Sequence, residues 1–374
     1  MADVKKLMVP WLENLKPYFS EHIEKAWEDQ GLIRMMSNEG PFSLKKSVLG
    51  ALIEGSQVAN RYPDSLKHIK RRIGKINFGL SPEWILLGNG STEILDMIFR
   101  AFMRPGDELI QSVPCYGIYI QRANIIGAKT VSILAKDNWE YDIDAIEKAI
   151  NPRTKGIILA NPNNPTGNLI DDSVYERLAQ RNVIVICDEA YIEYSGLENS
   201  KIPIMKKYPN VIISRTLSKA YGLAGMRFGY ALGHPETIEI VSRTIMSWNI
   251  SIISAFGAYA ALNDQEGLKE KIRFTNEGRD FIERELSKIQ GLTVYHTNGN
   301  YILIDASPTG ATSEEIVNSI MEKHGIILRK MSSFKGREGL FRITIGNSEE
   351  NEACVNAVKE FFESRARISV SEAL

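Results

Sequence analysis

The stretch RTLSKAYGLAGMRFG, residues 215–229, carries the side chains best suited to chemistry. Lys219 lies beside Thr216 and Ser218, and Arg227 follows eight positions later. A lysine amine forms a Schiff base with a carbonyl compound, and an arginine with nearby hydroxyls holds a phosphate dianion. The alternative is a surface lysine and a surface ion pair, which is the usual state of an isolated lysine. The neighbouring motifs favour the chemical interpretation.

Three further polar clusters each follow a short apolar run. Asp188 of DEAY follows VIVIC, so it either caps a helix or is a buried carboxylate that needs a partner. Asn164 of NPNNPTG combines turn chemistry with a hydrogen-bond donor. In GNGSTE, Glu93 replaces the third glycine of a dinucleotide fingerprint. The motif still suits one phosphate at a helix start, unless Ser91 and Thr92 are plain helix caps.

The apolar runs before these clusters show no alternation, which is typical of strands buried on both faces. Amphipathic stretches lie between them, at residues 92–103 and 173–180. This order predicts an α/β domain with a mostly parallel sheet covered by helices. Ligands bind at the carboxyl ends of such strands, so the polar clusters are expected to converge. The predicted strands cover residues 84–87, 156–160, 182–187 and 211–214.

The pattern changes near Asn263, where a long charge-rich helix is predicted over residues 264–289. Alternating strands follow, with one more helix near residues 313–323, which predicts a smaller α+β domain at the C-terminal end. We expect three parts along the chain. The first is an N-terminal arm over residues 1–45, which is expected to pack on the small domain or a partner subunit. A large ligand-binding domain is expected over residues 46–270, and the small domain over residues 271–374. The predicted strands of this part cover residues 292–295, 300–305 and 341–345.

Composition narrows the class of protein. The 374 residues carry 45 basic and 46 acidic side chains, a net charge of −1, so no bulk attraction to nucleic acid or anionic membrane is expected. Three cysteines at unrelated spacings argue against a disulfide framework and a metal site. The first residues lack the apolar segment of a signal peptide, and no apolar run is long enough to span a membrane. These features predict a cytoplasmic enzyme without metal.

Together the motifs match the needs of pyridoxal 5′-phosphate (PLP). Its aldehyde needs a lysine, and Lys219 is available. Its ring nitrogen needs a carboxylate, which Asp188 provides. Its phenolic oxygen needs neutral donors, a role for Asn164 and Tyr191, and Tyr116 of PCYGIY provides a flat neighbour for the ring.

With these motifs the chain resembles the fold-type-I, class I/II aminotransferases, most closely their histidinol-phosphate aminotransferase branch. The resemblance covers about residues 16–361. It implies a large domain with a mostly parallel seven-stranded sheet between helices, and a smaller α+β C-terminal domain. The stretches that carry it are LKPY, SNEGP, RYPD, GNGSTE, PCYGIY, PNNPTG, DEAY, RTLSKAYGLAGMRFGY, GIILR and FRITIG.

The resemblance implies a role for each matching residue. Lys219 resembles the lysine that binds PLP covalently and moves the substrate proton, with Asp188 on the ring nitrogen and Tyr191 and Asn164 on the phenolic oxygen. Tyr116 resembles the stacking ring. The residues that resemble the phosphate cup are Gly90, Ser91, Thr92, Thr216, Ser218 and Arg227.

Other matching residues concern the partner subunit and the substrate. Tyr62 of RYPD resembles a tyrosine that reaches the neighbouring subunit's cofactor phosphate, which implies a homodimer. Arg342 of FRITIG resembles the arginine that pairs with a substrate carboxylate. Tyr18, Asn38 and Arg329 resemble substrate-side groups, with Tyr18 and Arg329 suited to a substrate phosphate.

The expected reaction is a ping-pong transfer of an amino group from L-histidinol phosphate to 2-oxoglutarate. An aromatic or general amino-acid aminotransferase would keep every PLP residue and both arginines, so it stays an alternative. A PLP-dependent decarboxylase of the threonine-phosphate type is a second alternative. A non-catalytic regulator with this fold is the least favoured, because Lys219, Asp188 and Arg227 are all intact.

Overall fold

The computed structural model describes residues 3–372, with side chains described through residue 365. Strands in this part of the chain form two sheets. In chain order the strands are β1 (Ile33–Met35), β2 (Ile85–Gly88), β3 (Glu108–Val113), β4 (Lys129–Leu134), β5 (Thr154–Ala160), β6 (Ile184–Asp188), β7 (Val211–Thr216), β8 (Gly229–Gly233), β9 (Thr293–Tyr295), β10 (Tyr301–Asp305), β11 (Ile326–Lys330) and β12 (Leu340–Thr344).

Helices connect and cover these strands. Short 3₁₀ turns occur as well, among them Leu197–Asn199 and Ala224–Met226. In chain order the α-helices are α1 (Glu21–Glu28), α2 (Lys46–Gln57), α3 (Lys67–Ile76), α4 (Gly90–Phe102), α5 (Ile118–Ile125), α6 (Ile143–Ala149), α7 (Asp172–Ala179), α8 (Ile192–Ser195), α9 (Ile202–Lys207), α10 (Pro235–Ser242), α11 (Ile252–Asn263), α12 (Gln265–Leu286), α13 (Ser313–His324) and α14 (Ser348–Glu372).

The larger sheet has seven strands in the order β2-β8-β7-β6-β5-β3-β4. Strand β8 runs antiparallel to both of its neighbours, and the other pairs are parallel. The prediction of a mostly parallel seven-stranded sheet is therefore confirmed. The four apolar runs correspond to β2, β5, β6 and β7, with ends shifted by one or two residues.

The central strands of this sheet are buried on both faces, because successive side chains point to opposite sides and both sides are apolar. On β6, Ile186 packs in one hydrophobic cluster and Cys187 in the other. On β7, Ile212 and Ile213 divide in the same way. This alternation fixes the direction in which the polar residues at the strand ends point.

The second sheet has five strands in the order β1-β11-β12-β10-β9. Strand β1 comes from the first part of the chain and pairs in parallel with β11, whereas the other strands are antiparallel. Helices α12, α13 and α14 pack on this sheet around a separate apolar core. The predicted boundary at residues 270 and 271 falls inside α12, and the three-part domain division stays a prediction.

Within the described residues, no helix is both long and apolar enough to cross a membrane. The same residues contain no group of three or more histidine, cysteine, aspartate or glutamate side chains that could hold a metal ion.

Candidate active site

A cavity of about 460 Å³ opens where β5, β6 and β7 end, and residues from β11, β12 and the N-terminal segment close it from the other side. It brings together most of the residues singled out in the sequence. Those that line it are Tyr18, Asn38, Ser91, Thr92, Tyr116, Asn164, Asp188, Tyr191, Thr216, Ser218, Lys219, Arg227, Arg329 and Arg342.

Asp188 is the last residue of β6 and is 4% exposed. Its Oδ2 accepts a hydrogen bond of 2.6 Å from the Tyr119 hydroxyl, whereas Oδ1 is buried without a partner among the residues that the structure describes. Burial raises the pKa of the carboxyl to about 6, and the bond from Tyr119 opposes this shift. An unpartnered buried carboxylate oxygen is costly, so Asp188 is arranged to receive a donor from a ligand. The helix-cap alternative is wrong, because α8 begins only at Ile192.

Lys219 follows β7 and extends into the cavity, where its Nζ donates to the Ser37 carbonyl at 3.0 Å. Burial lowers the pKa of the amine to about 8, and the charges of Arg342 and Arg227 act in the same direction. A larger fraction of the amine is therefore neutral near pH 7 than in an exposed lysine. The neutral amine is the form that attacks a carbonyl.

The start of α4 faces Arg227 and the loop after β7. Gly90 has a φ of +76°, and a Cβ there would lie 2.4 Å from an Arg227 nitrogen. The close approach therefore requires glycine. Ser91 and Thr92 lie in the first turn of α4, after the cap position held by Asn89, so the alternative that they are the helix cap is wrong.

Two hydroxyls and a guanidinium lie at the end of the cavity that is next to the start of α4. The Thr216 hydroxyl lies 2.9 Å from the Ser218 hydroxyl, and Arg227 NH1 donates to Ser218 Oγ at 3.4 Å. With the free N–H groups at the start of α4, they form a compact set of donors. Such a set at a helix N-terminus suits a phosphate group.

Tyr191, Asn38 and Asn164 form a hydrogen-bonded group on the opposite side. The Tyr191 hydroxyl oxygen accepts from Asn38 Nδ2 at 2.9 Å and from Asn164 Nδ2 at 3.4 Å. Its own proton is then free to be donated into the cavity. Burial raises the pKa of Tyr191, so the phenol stays protonated. Asn38 is locked by Thr344, which donates to its Oδ1 and accepts from its backbone N–H.

Arg329 and Arg342 are direct cross-strand partners on β11 and β12. Arg342 donates to Asn164 Oδ1 at 2.5 Å and to the Met36 carbonyl at 2.7 Å, while its Nε is buried and has no partner in the described part of the chain. Burial lowers its pKa to about 10, so it remains charged at neutral pH. Among the described residues, neither arginine has a carboxylate within 4.0 Å.

Three tyrosines that were singled out in the sequence differ in their position relative to the cavity. Tyr116 is 38% exposed at the cavity wall and touches Tyr119 edge to face, and Tyr18 is largely exposed at the cavity rim. Tyr62 is 75% exposed and stacks on Trp248 with ring centroids 4.3 Å apart. It does not line this cavity.

Sequence reasoning missed several residues of the site. Tyr119 lies three positions after Tyr116 on the buried side of α5, and no local signal ties it to Asp188. His22 contacts Arg329 and lines the cavity. It follows closely after the LKPY stretch, but the sequence interpretation did not include it. Ser37 contributes only a backbone carbonyl, which the residue type does not reveal.

The residues present fit PLP. The partnerless Oδ1 of Asp188 suits a protonated ring nitrogen, and the donor set of Thr216, Ser218 and Arg227 suits the phosphate. Lys219 lies in the same cavity, and Tyr191 offers a proton to a phenolic oxygen. Each group that the cofactor requires has a counterpart among the residues that line this cavity.

Comparisons with known proteins agree with the fit of the site to PLP. Residues 31–358 match the family Aminotransferase class I and II. The chain is 31% identical over 362 residues to a histidinol-phosphate aminotransferase of Anaeromyxobacter sp. (strain Fw109-5), covering 94% of this chain and 98% of that protein. It is 33% identical to the enzyme of that name from Parabacteroides distasonis, with 96% and 99% covered.

Solved structures extend this agreement to the fold. The crystal structure of histidinol-phosphate aminotransferase from Sinorhizobium meliloti in complex with pyridoxal-5′-phosphate superposes with a TM-score of 0.87 at 28% identity, covering 96% of this chain and 98% of that one. L-threonine-O-3-phosphate decarboxylase from Porphyromonas gingivalis gives a TM-score of 0.77 at 21% identity, with 89% and 100% covered. That second likeness shows the fold alone.

The fold and site define a PLP-dependent enzyme of fold type I. The chain belongs to the aminotransferase class I and II family, and it is a PLP-dependent aminotransferase.

Proposed function

We propose that this enzyme transfers the amino group of L-histidinol phosphate to 2-oxoglutarate in a ping-pong cycle. The observation that carries the proposal is the cross-strand pair of Arg329 and Arg342 without a neighbouring carboxylate. Like charges placed directly opposite each other destabilise a sheet. The arrangement is therefore suited to a strongly anionic ligand, which arginine binds through paired N–H donors.

We propose that this anion is a phosphate group, because the relatives are named for histidinol phosphate, which carries one. In the second half of the cycle a carboxylate of 2-oxoglutarate would occupy the same place. Tyr18 and Asn38 line the substrate side of the cavity and are proposed to contact both substrates. Residues 1–45 are proposed as an arm over this side, since β1 joins the sheet that carries both arginines.

Bound PLP supplies an electron sink for the carbon that loses its hydrogen as the amino group moves. We assign the movement of that proton to Lys219 Nζ, whose lowered pKa increases the fraction in the neutral, basic form. Asp188 Oδ1 is assigned to hold the proton on the ring nitrogen. Tyr191, with Asn164, is assigned to orient the ring through its phenolic oxygen, while Tyr116 covers one face.

The phosphate of the cofactor is assigned to the donor set at the start of α4 and the end of β7. We further propose a homodimer in which Tyr62 completes the partner's cup, because its ring is exposed beside Trp248 rather than directed into its own cavity. A cytoplasmic location is proposed from the three free cysteines, which suit a reducing compartment. The residues of the proposed cup are Gly90, Ser91, Thr92, Thr216, Ser218 and Arg227.

The test is a titration of the PLP-loaded protein with L-histidinol phosphate, followed by its visible absorption. Conversion to the pyridoxamine form at low donor concentration, with far weaker response to L-histidinol, L-phenylalanine and L-glutamate, is the expected result. If only the amino acids drive the conversion, the enzyme is a general or aromatic aminotransferase. Release of CO₂ from a carboxylated donor without need for an oxo acid would instead identify a decarboxylase.

A matched pair of variants locates the effect. Arg329→Gln is expected to weaken the response to L-histidinol phosphate about 10- to 100-fold, the loss of one charged hydrogen-bond set. Lys330→Gln removes the adjacent charge, which is exposed and pairs with Glu314 at 2.6 Å. It is expected to leave the response unchanged.

A further inference from the structure

His22 lies in the first turn of α1, half-buried at the wall of the cavity. Arg329 NH1 lies 2.7 Å from its Nε2 and 3.0 Å from its Nδ1, and the Ser20 hydroxyl lies 3.0 Å from Nε2. Because a guanidinium has only donors, the ring nitrogen that faces it must accept. Because both ring nitrogens lie within 3.0 Å of this donor, the arrangement disfavours the doubly protonated, positively charged ring.

The charges around His22 come from three strands and its own helix. Arg329 on β11, Arg342 on β12 and Arg34 on β1 all oppose a positive charge on the ring, and only Glu21 favours one. Two of these groups are already paired, Arg34 with Glu39 at 3.1 Å and Glu21 with Lys25 at 2.9 Å. Burial and the arginines together lower the pKa of His22 to about 4.

If the proposed function is right, a site with a fixed charge cannot match the charges of both substrates equally well. L-histidinol phosphate presents a phosphate dianion, whereas 2-oxoglutarate presents a carboxylate with a single charge. Two arginines with a neutral His22 match the dianion but leave one net positive charge with the carboxylate. A third fixed cation would leave one net positive charge with the dianion and two with the carboxylate. A ring that is protonated only in the dianion complex leaves one net positive charge in both. A group that gains or loses a proton as the ligand changes removes this conflict.

We propose that His22 is a third member of the anion site and a specificity-determining residue, which takes up a proton when a dianion binds beside Arg329 and stays neutral when a carboxylate binds. The dianion reverses the field that keeps the ring neutral, because an opposite charge within hydrogen-bonding range favours the protonated form. The protonated ring has donors on both nitrogens, so its contact with Arg329 is exchanged for a contact with the dianion. Phosphate is in this way favoured over carboxylate by charge, in addition to shape.

The test uses sulfate as the dianion, because sulfate has no proton of its own to lose near neutral pH. Proton uptake on binding to the PLP-loaded protein is measured by calorimetry in buffers of different ionisation enthalpy. With a bound-state pKa of about 6 to 6.5, wild type is expected to take up roughly 0.8 proton at pH 5.5 and under ~0.1 at pH 7.5. Sulfate affinity should fall about fivefold over that range.

Variants assign the proton. His22→Asn and His22→Gln, which keep a hydrogen-bonding side chain, should abolish the uptake and flatten the pH dependence. His296→Asn removes an exposed histidine that pairs with Glu283 away from the cavity and should behave like wild type. In steady-state kinetics at pH 6, His22→Asn should raise KM for L-histidinol phosphate about threefold, the linkage factor at that pH for a pKa that rises from about 4 to about 6 to 6.5, with little change in KM for 2-oxoglutarate.

The two possible failures are distinguishable. If wild type binds neither sulfate nor L-histidinol phosphate, the proposed function is wrong and the inference falls with it. If both bind but the uptake is absent, or persists in His22→Asn and His22→Gln, the role of His22 is wrong while the proposed function stands.

Discussion

The ends of β6 and β7 carry polar residues on two faces of the sheet, and the two faces are built in opposite ways. On the cavity face, Asp188 keeps one carboxylate oxygen without a partner, and Lys219 has a single hydrogen bond to a backbone carbonyl. On the other face, Glu189 and Arg215 form a buried ion pair with an N–O distance of 2.7 Å. Asp188 and Glu189 are adjacent in sequence, so the contrast is set by strand alternation.

The ion pair on the far face is fully satisfied. Glu189 also accepts from the Ser200 hydroxyl and from the Lys201 backbone N–H at 2.6 Å, and Arg215 donates to Asn77 Oδ1 at 2.6 Å. Buried charges persist when such partners replace water. Polar residues of similar burial therefore have different roles on the two faces of the sheet. At these two places, the hydrogen-bonded pair belongs to a structural network, whereas the partnerless oxygen of Asp188 lies at the wall of the cavity.

The largest expected effect falls on the cavity face. Lys219→Ala should reduce transamination more than about 10³-fold, because it removes both the covalent attachment point and the proton carrier. Borohydride reduction followed by mass spectrometry should show wild type, but not the variant, carrying PLP covalently. Urea unfolding of the cofactor-free variant should match or exceed wild type. Appreciable turnover by Lys219→Ala would contradict the assigned mechanism.

Asp188→Ala should lower kcat about 10²- to 10³-fold, a typical cost of removing an electrostatic partner of the reacting system. Asp188→Asn keeps the shape but lacks the negative charge, and it should be nearly as damaging. Stopped-flow absorption of the half-reaction measures both. If Asp188→Ala kept most of its activity, the ring-nitrogen assignment would fail.

Substitutions on the far face should change the free energy of unfolding and not the rate of transamination. Arg215→Met leaves Glu189 buried and unpaired, which is expected to cost about 3–5 kcal/mol in the free energy of unfolding. The double variant Arg215→Met with Glu189→Leu should recover most of that loss, because an apolar pair of similar volume needs no partner. Urea titrations of the cofactor-free proteins give these values. Equal destabilisation in the single and double variants would show that the pair acts through something other than charge.

A smaller effect is expected in the pH dependence of stability of the cofactor-free protein. The pKa of Asp188 is raised to about 6 in the folded state, against about 3.9 in an unfolded chain. Between these values the folded state holds a proton that the unfolded state lacks, so stability should fall as pH rises from about 4 to about 6. The loss should approach about 3 kcal/mol.

The control for this effect is Asp188→Asn, which cannot titrate. The difference in unfolding free energy between wild type and this variant, measured at several pH values, isolates the one carboxyl group. A difference that does not change between pH 4 and pH 7 would mean that Asp188 is not held protonated by burial.

Much of the cavity face could be predicted from sequence, because its residues follow apolar strands directly and topology gathers strand ends at one edge. Asp188, Asn164 and Lys219 are examples. The far-face network could not be predicted, since Arg215 meets Asn77 and Ser200 only through long-range packing. The same holds for β1, whose pairing with β11 joins residues nearly 300 positions apart, and for the contact of His22 with Arg329.

The most direct test of the account is a crystal structure of the protein grown with PLP. The account predicts a covalent bond between PLP and Lys219, with the ring nitrogen within hydrogen-bonding distance of Asp188 Oδ1, and the Glu189–Arg215 pair unchanged on the other face. PLP attached to a different lysine, or an Asp188 Oδ1 that still has no partner in the complex, would contradict it.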